Sequence, residues 1–212
     1  MKSQIGLCSK MLLSSHRLRF SGFLSLLIGL FVASCPNDLF AQEQATNQAT
    51  TSPVILELIY RQKYNDAIIR LEEILERDPR NPEALTYMAT AKLYLRRNFT
   101  AALEDFKEAL AAGGGATFFV THSHEEFNTD YVADYCRGWL HLRKDRVEFV
   151  PTEGTHGFNL SYDTIEEFKI NRLSKRAFHI KFNKKSQNFY TRTNTELEPL
   201  LIIALQKSLT RK

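Results

Sequence analysis

Hydrophobic and polar positions change rhythm four times along the chain. Residues 20–33 are apolar or small and carry no charge, and Lys2, Lys10, Arg17 and Arg19 precede them. Next comes QEQATNQATTSP, polar and too poor in apolar side chains to order itself, which predicts a disordered linker over 42–52. From Val54 to Leu110 apolar residues recur at three- and four-residue spacing, the period of amphipathic helices. From Ala116 the period is two. Cys136, Gly138, Leu140 and Leu142 alternate with Arg137, Trp139, His141 and Arg143, and Val147/Phe149, Phe158/Leu160, Phe168/Ile170 and Phe178/Ile180/Phe182 repeat the pattern. One apolar face per strand implies about seven antiparallel strands joined by short polar turns such as Lys144-Asp145 and Asn183-Lys184-Lys185. The helical period then returns. Leu197, Leu200, Leu201, Ala204, Leu205 and Leu209 form one stripe, opened by Thr195 and Glu198 at capping-box spacing, with Pro199 in the first turn.

The helical half repeats itself. Tyr64, Ala67, Ile68, Leu71, Ile74 and Leu75 recur 35 residues on as Phe99, Ala102, Leu103, Phe106, Ala109 and Leu110. A small Ala followed by large apolar residues lets two helices approach closely while the rest of the stripe fills the gap. ERDPRNPEA breaks the pattern, with Asp78-Pro79 ending one helix and Pro82 opening the next. The aromatic, Ala, aromatic and Pro positions resemble tetratricopeptide repeats, although Leu85 and Ala89 stand where that family carries Trp and Gly. The resemblance implies two helical hairpins over 53–112 and a groove that binds extended peptides or partner helices. Thr86, Thr90, Leu93 and Arg97 share one helical face and would line it beside Tyr60 and Arg61; the same positions also suit a solvated face. So short a stack needs a cover, either the neighbouring domain or another chain.

Seven antiparallel strands and a closing amphipathic helix resemble a pleckstrin-homology-like barrel. GWLHLRKDRVEFVP followed by HGFNLSYDTIEEFKINR resembles its GRAM-type members. The expected fold is therefore α+β: a short all-α tetratricopeptide-like module, then a seven-stranded antiparallel barrel over 116–212 with a C-terminal capping helix. On this reading CRGWLHLRKDRVEFVP is barrel wall, with Leu140, Leu142, Val147 and Phe149 facing in.

Charge and composition change this picture at the N-terminus. Basic residues followed by a short uncharged apolar run describe a secretory signal over 1–41, because 14 residues fall short of the ~20 that span a bilayer. Two processing sites compete: cleavage after Ala41, or a lipobox-like Val32-Ala33-Ser34-Cys35 that would leave Cys35 acylated. Either route exports the protein to the periplasm or cell envelope. The formal charge of +4 resides mainly in the signal, since four basic residues and only Asp38 leave with it. The nearly neutral remainder argues against nucleic acid, which needs a concentrated positive field. If Cys8 and Cys35 leave with the signal, Cys136 alone remains and no internal disulfide is possible.

Candidate chemistry is sparse. Gly113-Gly114-Gly115 follows a helix and precedes a strand, the wrong order for a phosphate loop. Inositol-phosphate-binding relatives of the barrel carry Lys and Arg near the first strand turn, whereas HSHEEFNTDYVAD offers Glu125, Glu126, Asp130 and Asp134. His122 and His124 could share a metal with Glu125 or His156, yet two ligands do not make a site. Cys136, on an inward face beside apolar neighbours, is expected to be an inert thiol. Trp139 faces outward with Arg137 and His141 and suits either an interface anchor or packing against the repeat helices. The expectation is a non-enzymatic, cofactor-free, protein-binding adaptor or scaffold at the bacterial envelope. The alternatives are a metal-assisted hydrolase using His122, His124 and His156, and a module that touches anionic membrane through Arg172, Lys175, Arg176, Lys181, Lys184 and Lys185.

Overall fold

The computed structural model describes residues 52–123, 135–172, 174–193 and 195–210. The expected signal 1–41, Cys35, the linker up to residue 51, His124, Glu125 and the rest of 124–134 lie outside them. Ser52, expected at the end of the linker, instead joins Pro53 in a helix, α1 over 52–60; proline suits a first turn, where its missing N–H would have no helical partner. Three longer helices follow: α2 (Tyr64–Arg77), α3 (Pro82–Arg96) and α4 (Phe99–Ala111). Asn81 and Asn98 cap α3 and α4, their side-chain oxygens accepting from the N–H groups of Ala84 and Ala101 at 2.9 and 3.1 Å. The sequence repeat has a physical counterpart. Ala67 and Ala102 are both buried, as are Leu71 and Phe106, at matching places in α2 and α4, and both helices pack on α3.

The strands are β1 (Ala116–Ser123), β2 (Tyr135–Leu142), β3 (Arg146–Pro151), β4 (Phe158–Ser161), β5 (Glu167–Ile170), β6 (Ala177–Phe182) and β7 (Lys185–Thr191). They form one sheet, ordered β4-β3-β2-β1-β7-β6-β5, and every pairing is antiparallel. The sheet curls around an aromatic cluster. Phe149, Phe158 and Phe189 touch one another, and Phe158 reaches Phe182, bringing β4 against β6 across the interior. Leu140, Leu142, Val147 and Phe149 all face this interior as the alternation requires. β7 was not marked by its own pattern, since Phe189 is its one large inward apolar side chain. Its place follows from the tight turn at Asn183 and Lys184, both at positive φ (49° and 63°), which returns the chain beside β6.

α5 (Leu197–Thr210) packs against α4 and β5. Its buried stripe is Leu201, Ile202, Ile203 and Leu205, while Leu197 and Leu200 are each 53% exposed. The expected stripe is thus rotated. The expected capping box is also replaced: Glu198 is not held by Thr195 but accepts from the Thr193 N–H (2.9 Å) and hydroxyl (2.6 Å), and its other oxygen accepts from the Tyr94 hydroxyl at 3.0 Å. A carboxylate drawn inward this way turns the helix so that its neighbours at Ile202 and Leu205, rather than Leu197 and Leu200, enter the core.

Candidate functional site

β1 is paired unequally. β2 runs along its whole length, but β7 covers only Val120 to Ser123. The first half of β1 would therefore leave a bare sheet edge, and α3 lies against it. The Gly115 N–H donates to Thr86 Oγ1 (3.0 Å), Thr90 Oγ1 donates to the Thr117 carbonyl (2.8 Å), and the Phe119 N–H donates to the Tyr94 hydroxyl (2.8 Å). Four helix residues advance about 6 Å and two strand residues about 6.6 Å, so side chains at i, i+4 and i+8 meet every second strand residue in step. α3 takes the place of a missing strand.

This seam overturns the expected groove. Thr86 and Thr90 are buried against the chain's own β1 and Leu93 is wholly buried in the core, so they present nothing to a partner. Arg97 is exposed as the left-handed C-cap of α3, Arg61 is exposed and paired with Glu57, and Tyr60 is 37% exposed. Trp139 is buried as well. Its ring meets Phe119 edge-on at 5.1 Å, and Phe119 meets Tyr60 at 5.2 Å, so Trp139 serves the packing of the helical layer on the sheet. Arg192, just past β7, locks the same corner. It donates to the carbonyls of Ile59 and Tyr60 and lies over the rings of Tyr94 and Phe119. Burial raises Glu198 above the ordinary carboxylate value of 4.5, and burial with the neighbouring Glu198 holds the Tyr94 hydroxyl well above its usual range.

A cleft of about 110 Å³ opens where the start of α3, Gly113–Gly115 and the ends of β1 and β2 meet. Glu83, Tyr87, Thr117, His141 and Arg143 line it. Burial, then Arg143, pushes His141 down to about 4, so its imidazole is neutral at neutral pH, with Nδ1 sharing a hydrogen with Thr117 Oγ1 at 3.0 Å. The glycine N–H groups are already engaged, by the carbonyls of Leu110 and Ala109 and by Thr86. This leaves no anion cradle at that turn, and the space suits a few waters.

Of the predicted metal ligands, the two that are described, His122 and His156, lie apart. His122 is buried inside the half-barrel and His156 is exposed between β3 and β4; His124 and Glu125 lie outside the described residues. Among the described residues no three His, Cys, Asp or Glu side chains could hold one ion, and no helix is long and apolar enough to cross a membrane. Of the basic residues considered for a membrane surface, Lys175 and Lys181 are engaged by Glu196 and Glu166. Among the described residues, part of the outer sheet face stays open. Tyr135 and Tyr190 meet edge-on at 6.2 Å, Val150 sits beside the buried Trp139, and all three are exposed, with Arg137 between them and Tyr60 at the margin.

Strand number, strand order and the helix after β7 define a curled seven-stranded antiparallel sheet followed by one helix within an α+β chain, consistent with the pleckstrin-homology-like arrangement expected from the sequence. No protein-family model matches the chain, and no curated protein does. Similar solved structures include the C-terminal domain of an unknown protein from Leishmania infantum, 15% identical, with TM-score 0.35, covering 54% of this chain and 100% of that one. The N-terminal PH domain of human ARAP2 is 10% identical, with TM-score 0.33, over 47% and 87%. Inner Membrane Complex Sub-compartment Protein 3 from Toxoplasma gondii is 11% identical, with TM-score 0.31, over 55% and 88%.

Proposed function

We propose that the chain is an exported, non-enzymatic adaptor at the bacterial cell envelope, a tetratricopeptide-like helical layer fused to a pleckstrin-homology-like half-barrel that recognises a protein partner. The observation that carries this reading is the outer strip of Tyr135, Tyr190 and Val150, which offers aromatic and aliphatic area beside Arg137 on a face no described element covers. Aromatic side chains with a nearby Arg are the composition of interface hot spots. Recognition is assigned to this strip and not to α3, whose face is spent on β1. A photo-crosslinking amino acid at position 190 or 135 is expected to capture one and the same protein in intact cells, and Val150→Asp is expected to abolish the capture. The same label at Ile69, exposed on α2, serves as control. Equal capture from position 69, or none from 190 and 135, would reject the reading.

A further inference from the structure

Inside one end of the half-barrel, three side chains on neighbouring strands form a chain of contacts. Cys136 on β2 and His122 on β1 are cross-strand partners, and the thiol Sγ lies 3.6 Å from His122 Nδ1. His122 Nε2 lies 2.6 Å from Oε1 of Gln187 on β7. An amide oxygen only accepts, so Nε2 carries the hydrogen and donates it. When the ring is neutral its remaining lone pair is therefore on Nδ1, the nitrogen that lies against the thiol. Phe189 stacks on the imidazole at 4.8 Å and 22°, and Phe149 meets its edge at 5.3 Å, fixing the ring plane.

A nucleophile touching a base whose far side is oriented by a third group is the arrangement that activates a thiol. The aromatic surroundings, which would leave an isolated cysteine inert, act differently once the proton moves. An imidazolium stacked on Phe189 gains a cation–π attraction, and its Nε2–H still donates to Gln187. Cys136 is only half-buried and adjoins the exposed Tyr135.

We propose that Cys136 is a reactive modification site whose substrate class is a hydroperoxide, with His122 as its base and Gln187 as a positioning residue. The Sγ proton passes to His122 Nδ1, and the thiolate attacks the terminal hydroxyl oxygen of the peroxide. An S–O bond forms as the O–O bond breaks, sulfur gives up two electrons and the peroxide is reduced. The departing alkoxide or hydroxide takes the proton back from Nδ1, leaving a sulfenic acid and an alcohol or water.

The test uses the full chain, with alkylation by iodoacetamide followed across pH and read at Cys136 by peptide mass spectrometry. The expected midpoint lies at least one unit below the ~8.5 of an ordinary thiol. His122→Phe keeps an aromatic ring in the stack and is expected to slow alkylation at pH 6.5 about tenfold or more, with Gln187→Leu in between. One equivalent of hydrogen peroxide is expected to yield a dimedone adduct at Cys136 in the wild type and none in the His122 variant. A wild-type midpoint at or above that of an ordinary thiol overturns the proposal without reference to any variant. Equal rates in wild type and His122→Phe, or no adduct in the wild type, do so too.

Discussion

Glu198 is wholly buried, and burial raises its proton affinity in the folded state above that of the unfolded chain. Because the native state then binds the proton more tightly, this residue's contribution to stability is largest in acid and falls as pH rises from about 4.5 through the folded value. The stability difference between wild type and Glu198→Gln should therefore drift against the wild type over that window. Urea titrations at several pH values would show it, and a difference that stays flat contradicts it. Glu167 behaves in the opposite sense, because hydrogen bonds from Lys169 and His179 hold it down to about 2, so its contribution is complete above about 4.5 and is lost as pH falls from there through about 2. At the seam, Thr90→Val removes the donor to the Thr117 carbonyl while keeping shape, and is expected to cost ~1–3 kcal/mol in urea denaturation. Tyr94→Phe orphans both the Phe119 N–H and a Glu198 oxygen, and should cost more than Thr90→Val.

At the scale of elements, α5 and α3 show what a one-dimensional pattern can and cannot carry. Ile202→Ala in α5 is expected to cost ~2–5 kcal/mol, while Leu200→Ala, at an exposed position, should stay within ~0.5 kcal/mol; the reverse order of losses would mean the helix is turned as its sequence stripe suggests. Leu197 and Leu200 looked like core because they share helical spacing with Leu201 and Leu205, and nothing local reveals that Glu198 will be pulled inward by Tyr94, far away in the chain. The strands were legible because alternation with an inward apolar face is a local property, and Leu140 through Phe149 follow it. α3 was half legible. From Ala84 to Leu95 only Lys92 is charged, the mark of a helix surrounded on most sides, yet which element covers Thr86 and Thr90 depends on β7 stopping short. Cys136 and His122 could be joined only once the β1–β2 register was known, and Gln187 only through β7, the strand whose own pattern was weakest.

For the molecule as a whole, the described residues, 52 to 210, belong to one compact unit. The helical layer and the half-barrel should then unfold together, with Trp139 fluorescence and far-ultraviolet circular dichroism giving coincident urea transitions; separated midpoints would show two independent bodies. A fragment beginning at Ala116 loses Thr86, Thr90 and Tyr94 from the edge of β1 and the cover over Phe118, Phe119 and Trp139. It is expected to bind hydrophobic dye and show no cooperative melt. Because α3 finishes the sheet, neither half can be traded between genes as a ready-made cassette. Recombination that cuts near the triple glycine would hand each descendant a protein with an open wound, so the two halves are bound to be inherited as a pair.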